Sequence, residues 1–184
     1  MNKMESLNQA IHEEVALFPY NAAWPTLFEQ ERERLQQLFP GDFRAIEHIG
    51  STAVPGLSAK PIIDILAGVD SIARADELME PLCRASYATS MEYNASLVER
   101  RWLMRFANGR RTHHLHLMVY GGEEWNQRLA FRNRLRQSAE LARQYGNRKR
   151  RWAEEFKTDR EAYTAAKGSF IRDALLVQNV PKVH

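Results

Sequence analysis

Leu27, Phe28, Leu35 and Leu38 recur at helical spacing among charged and amide residues, which predicts a helix over about 26–39. Pro40-Gly41-Asp42 ends it. Residues 43–49 then alternate as a strand does, with Ile46 and Ile49 on its apolar positions. The run at 61–69 does not alternate. Ile62, Ile63, Ile65 and Leu66 are nearly continuous, the pattern of a central strand covered on both faces, and a single acid, Asp64, interrupts it. Ser71 is placed to cap a helix running to about Arg84. Strands follow at about 101–107 and 113–120, joined by the hairpin dipeptide Asn108-Gly109. Beyond Gly121-Gly122 the pattern is helical, at about 123–139, 138–156 and 159–177, with interruptions near Gly146 and Thr158. The first dozen residues show no period and are expected to be loosely held. The plan is α+β: a mixed sheet with flanking helices, segregated toward one side, and a helical C-terminal third.

Length and composition narrow the class. A chain of 184 residues, 44% hydrophobic and 27% charged, can bury a core as one domain over 1–184 without disulfides or structural metals. Cys83 is the lone cysteine, so no internal disulfide forms and no Cys/His zinc pattern exists. Glu5, Glu13 and Glu14 fall where a signal peptide would need a basic start and an apolar run. No apolar run is long enough for a membrane span, and a cytoplasmic protein with no membrane partner is expected.

Charge is uneven. Residues 1–90 carry seven Lys/Arg against thirteen Asp/Glu, and residues 91–184 carry nineteen against ten. A basic half attracts nucleotides or nucleic acid by its field. Glu154 and Glu155 partly offset the run Arg148, Lys149, Arg150, Arg151, and no aromatic-interleaved module accompanies it. Solvated helices are therefore the simpler account, and nucleic acid is a secondary partner class.

The chemistry concentrates at 46–66. A strand that delivers Gly50-Ser51-Thr52 into a short turn lets backbone approach a phosphate and aims amides at it, with a hydroxyl to donate or cap. Asp64, inside an apolar strand, needs a cation: it is a metal ligand or half of a buried ion pair. Lys60, at that strand's entrance, is placed to hold a phosphate or to pair. His114 and His116 alternate on one strand and so share a face, a way to offer two imidazoles to a metal, and His48 approaches the Gly50 turn. Among the arginines, Arg132 beside Phe131 is the candidate phosphate ligand, because guanidinium forks bind phosphate oxygens bidentately.

HIGSTAVPGL and KPIIDI, then HHLHLMVYGG with Trp125 and RLAFRNRLR, then Tyr145-Gly146 and YTAAKGSFI, together resemble the GrpB family over about residues 18–175. The resemblance implies a nucleotidyltransferase-like fold, with Gly50 and Ser51 in a triphosphate loop and Asp64 at a divalent metal, magnesium or manganese before zinc. Some members of the family are fused to dephospho-CoA kinase, which implies a tie to nucleotide or coenzyme A chemistry. The sequence departs from the superfamily pattern. Ile62 and Leu66 stand at the two-residue spacing where a second acid belongs, and His116 stands where a third carboxylate is expected. One Asp with imidazoles makes a poor magnesium cage and suits one softer ion such as manganese or zinc, or none. Three functions follow. One is a divergent nucleotidyltransferase in which Gly50, Ser51, Thr52, Lys60 and Arg132 hold phosphates, Asp64 with His114 and His116 holds a metal, and His48 assists proton transfer. The others are a non-catalytic nucleotide or coenzyme sensor and a single-metal hydrolase.

Overall fold

Among the residues that the computed structural model describes, 2–14, 16–157 and 159–176, four strands form one mixed sheet in the order β1-β2-β4-β3. The strands are β1 (Ala45–Ile49), β2 (Ile63–Val69), β3 (Arg100–Ala107) and β4 (Arg110–Val119). β2 pairs antiparallel with β1 and parallel with β4, so the apolar run lies inside the sheet as its composition requires. In this register Asp64 faces Ile49 on one neighbour and His114 on the other. Asn108 and Gly109 turn β3 into β4, both at positive φ.

The helices are α1 (Lys3–Ile11), α2 (Trp24–Leu38), α3 (Ile72–Arg84), α4 (Met91–Ala95), α5 (Glu123–Gln137), α6 (Ala139–Glu155) and α7 (Arg160–Leu176). They cover both faces of the sheet, where one side was expected. Ile63, Ile65, Leu115 and Leu117 meet Phe28 and Leu35 of α2 and Leu78 and Leu82 of α3 on one face. On the other, Ile49, Leu66 and Met118 meet Trp125 of α5. Period two explains both: Ile65 and Leu66 point opposite ways and both are fully buried. Each such side chain contributes at most about 1.5–3 kcal/mol.

Other boundaries match the sequence pattern closely. Ser71 caps α3, its side chain accepting from the Arg74 amide. α6 runs unbroken through Gly146, against the expected interruption, and Leu57 packs 3.2 Å from where a Cβ would stand there. The break expected at Thr158 and the last position of 159–177 lie outside the described residues. α4 is too short to show a period.

Where a loosely held segment was expected, Lys3–Ile11 form a helix. Asn2 and Glu5 close a reciprocal capping box on α1. Ser6 then accepts a hydrogen bond from the Gly109 amide at 2.8 Å, and Arg111 Nε donates to the Ala10 carbonyl at 2.9 Å. α1 is tied to the hairpin by polar contacts rather than by an apolar stripe, which is why periodicity missed it.

Candidate functional site

β1 ends at Ile49, and the chain turns through Gly50 into a single 3₁₀ turn, Ser51–Ala53. Gly50 sits at φ 73° and ψ −171°, a conformation essentially reserved for glycine. A Cβ there would fall 2.4 Å from Asp64 Oδ2, so the turn presses directly on the acid. The other oxygen, Oδ1, accepts a hydrogen bond from His114 Nδ1 at 3.0 Å, and His116 Nε2 stands 4.0 Å from it. Burial disfavours the charge on Asp64, but the two imidazoles outweigh it and hold the carboxyl well below the usual range. Its side chain keeps 29% exposure, so the ionised group is reachable from solvent.

Two lysines arrive from the C-terminal helices. Lys149 of α6 is 2% exposed. Its Nζ donates to Ser51 Oγ at 2.9 Å and to the Ser58 carbonyl at 2.6 Å, and lies 5.0 Å from the Tyr145 ring centre. Neither hydrogen-bond partner is charged. Burial, with Lys167 adding repulsion, pushes the ammonium down to about 7. Lys167 of α7 sits 5.9 Å from the Tyr163 ring centre, and Lys60 faces the same ring at 5.4 Å. Tyr145 raises the Lys167 pKa against its burial. An ammonium placed in the interior without a counter-ion costs several kcal/mol. Here it is fixed on the hydroxyl of the turn.

The remaining predicted residues fall elsewhere. His48 alternates away from Asp64 and lies on the opposite face, paired in register with Ile65. Its ring stacks on Phe28 at 4.8 Å, and its Nε2 meets Thr52 Oγ1 at 3.0 Å. Thr52 in turn donates to the Ile62 carbonyl at 3.2 Å, so both side chains fasten the turn to β2. Arg132 is engaged by Glu47 Oε2 at 2.6 Å and the His48 carbonyl at 3.0 Å, and Arg136 Nε donates to the Ala53 carbonyl at 2.8 Å. His48 supports the turn from the opposite face of the sheet, while Arg132 with Glu47 braces the end of β1 on the Asp64 face. Gly50, Ser51, Asp64, His114 and His116 are brought together at the turn.

Burial lowers the pKa of His48, His113 and His116 to about 4 each from 6.5. A depressed imidazole pKa means that the unfolded chain takes up protons first as pH falls. The stability from these neutral rings is complete above 6.5 and is lost between 6.5 and 4. For His48, 6% exposed, the loss is expected to be on the order of 2–3 kcal/mol. Urea midpoints of wild type and His48→Gln across that window should converge as pH falls; parallel curves would remove His48 from the acid response.

A family model described as GrpB protein matches residues 14–176. The chain belongs to the GrpB family. The glutamate-rich protein GrpB of Alkalihalophilus pseudofirmus is 33% identical over 169 residues, 88% of this chain and 94% of that protein. The crystal structure of conserved protein GrpB from Enterococcus faecalis matches with a TM-score of 0.76 at 34% identity, covering 89% of this chain and 99% of that one. The dephospho-CoA kinase of Mycolicibacterium paratuberculosis is 31% identical over 191 residues, which span 92% of this chain and 47% of that protein.

In this GrpB chain, Asp64, His114 and His116 are the groups that the sequence offers to a metal. Among the described residues, no three His, Cys, Asp or Glu side chains are placed to share an ion. His114 Nδ1 donates to Asp64 Oδ1, which places that ring's electron pair on Nε2, the nitrogen turned away from this oxygen. Sequence reasoning missed the lysines. Tyr145 and Lys149 stand four residues apart in α6, as Tyr163 and Lys167 do in α7, and residues at that spacing share a helix face. That spacing was the available signal.

Proposed function

We propose that this GrpB-family chain binds a phosphate-bearing small molecule, a nucleotide or coenzyme, on the turn at 50–53. The observation that carries the reading is Lys149, a nearly inaccessible ammonium with uncharged partners, one of them Ser51 Oγ. A phosphate on the turn adds a hydrogen-bonded counter-charge to an ammonium that otherwise feels only the Asp64 carboxylate at a distance. The likeness to a protein named dephospho-CoA kinase supports the coenzyme side of this class. Asp64 excludes a second anion from its own oxygens and accepts hydrogen bonds from ligand hydroxyls. Because the donors do not converge for an ion, binding is expected to persist in EDTA.

Nucleotidyl transfer is the second reading, favoured by one observation: the ionised, partly exposed Asp64 lies directly beside the turn. Thermal unfolding against nucleoside triphosphates, coenzyme A and its precursors separates the two. Each ligand is run with magnesium, manganese or EDTA, beside Asp64→Asn. Saturation at about a hundred times the dissociation constant adds roughly 2.7 kcal/mol, a few degrees in Tm. A shift retained in EDTA is the expected result. A shift that needs metal and vanishes in Asp64→Asn moves the assignment to transfer. No shift with any ligand overturns the phosphate reading.

A further inference from the structure

Six buried side-chain atoms lack a hydrogen-bond partner among the described residues, and five of them gather at one end of this site. They are His114 Nε2, His116 Nδ1, Arg100 Nε, Arg128 Nε and Glu124 Oε2. Buried polar atoms are almost always paired, so a concentration of unpaired ones marks a place where a partner comes from outside the chain.

Register puts the group on the Asp64 face. His116 shares its row with Leu66, two residues beyond Asp64, and Arg100 shares the next row with Met118 and Gly68. Arg128 reaches in from α5. Glu124, four residues before it, stands between the arginines, with Oε2 3.5 Å from Arg128 Nη2 and 3.9 Å from Arg100 Nη1. One carboxylate faces two guanidiniums, at distances beyond a good hydrogen bond. Burial, reinforced by the charge of Arg100, lowers the pKa of Arg128, with Glu124 and Asp64 opposing it in part. Arg128 is also felt by Asp64, His116 and Lys167. Cations therefore run in sequence from Lys149 through Lys167 to Arg128 and Arg100, past Asp64.

We propose that the ligand carries two anionic groups: a phosphate on the turn with Lys149, and a second oxyanion, phosphate or carboxylate, on Arg100 and Arg128. Each guanidinium presents its Nε–H in a fixed fork suited to a two-oxygen acceptor, while Glu124 neutralises the surplus charge. His116 stands in the row between those of Asp64 and Arg100. This inference rests on the phosphate reading for the first group and adds the second.

Calorimetric titration of the full chain in EDTA tests it. The probes are orthophosphate, alkylene bisphosphonates of increasing length, and phosphonocarboxylates of the same lengths. Wild type is expected to show an optimum length that binds at least about tenfold more tightly than orthophosphate. Arg100→Gln and Arg128→Gln should each remove that gain while orthophosphate still binds at the turn, and the tighter series identifies the second group. Affinity independent of length in wild type overturns the second position, whatever the variants do. So does a gain that survives in variants with wild-type melting. Orthophosphate binding without a gain sinks this inference alone; binding of no probe sinks the phosphate reading with it.

Discussion

Lys149→Met is expected to raise the melting temperature of the protein and to abolish its binding of phosphate. The ammonium has a folded-state pKa of about 7 against 10.5 when free, so between those values the folded chain binds fewer protons than the unfolded one. The lysine's contribution to stability therefore rises with pH through that window, and its penalty is fully present below about 7. Methionine removes the penalty and also removes donors to Ser51 Oγ and the Ser58 carbonyl. Each lost hydrogen bond is worth about 1 kcal/mol, while removing an interior charge that is hydrogen-bonded to no anion recovers several. The net gain near neutral pH is about 1–3 kcal/mol, shrinking as pH approaches 10.5. Calorimetric melting at neutral and alkaline pH, beside phosphate titration, reads both effects. A methionine variant that is less stable at every pH would make Lys149 a structural brace.

Gly50→Ala acts in the opposite direction on stability. At φ 73° and ψ −171° an alanine stores about 1–3 kcal/mol of backbone strain. Its Cβ would also stand 2.4 Å from Asp64 Oδ2, and relief means moving the carboxylate off His114 Nδ1. A hydrogen bond to a charged group adds about 1.5–3 kcal/mol to the loss. The total is about 3–5 kcal/mol, a fall in Tm on the order of 10 °C for a chain of this size, with ligand binding lost. Denaturant melts of the variant measure it. A change below about 1 kcal/mol would show that turn and acid are not held against each other.

Much of this was legible from residue order because it rests on local rules. The Ser71 cap, the Asn108-Gly109 hairpin and the interior position of β2 each follow from a few adjacent residues. The same holds for Gly50 and Ser51 beside Asp64, since strand alternation and one turn fix their meeting. The lysines are a different kind of fact. Arg148, Lys149, Arg150 and Arg151 look alike in sequence, and which one turns inward depends on how α6 is rotated about its axis. That rotation is set by Tyr145 packing with Leu57, Leu135 and Phe170, contacts among distant segments that no local pattern encodes. His48 shows the converse. Its nearness to Gly50 in sequence suggested a shared role, but its side chain alternates to the other face and stacks on Phe28.

The assignment of the acid to β2 and of the cations to α6 and α7 also orders events during synthesis. Ser51 and Lys149, which touch in the finished molecule, are 98 residues apart in the chain. A polypeptide leaving the ribosome N-terminus first exposes the Gly50 turn and Asp64 seconds before the lysines have been translated. Throughout that interval the nascent chain lacks the ammonium proposed to hold phosphate on the turn, although Arg100 and Arg128 have been made, so capture at the turn is deferred until α6 has been made.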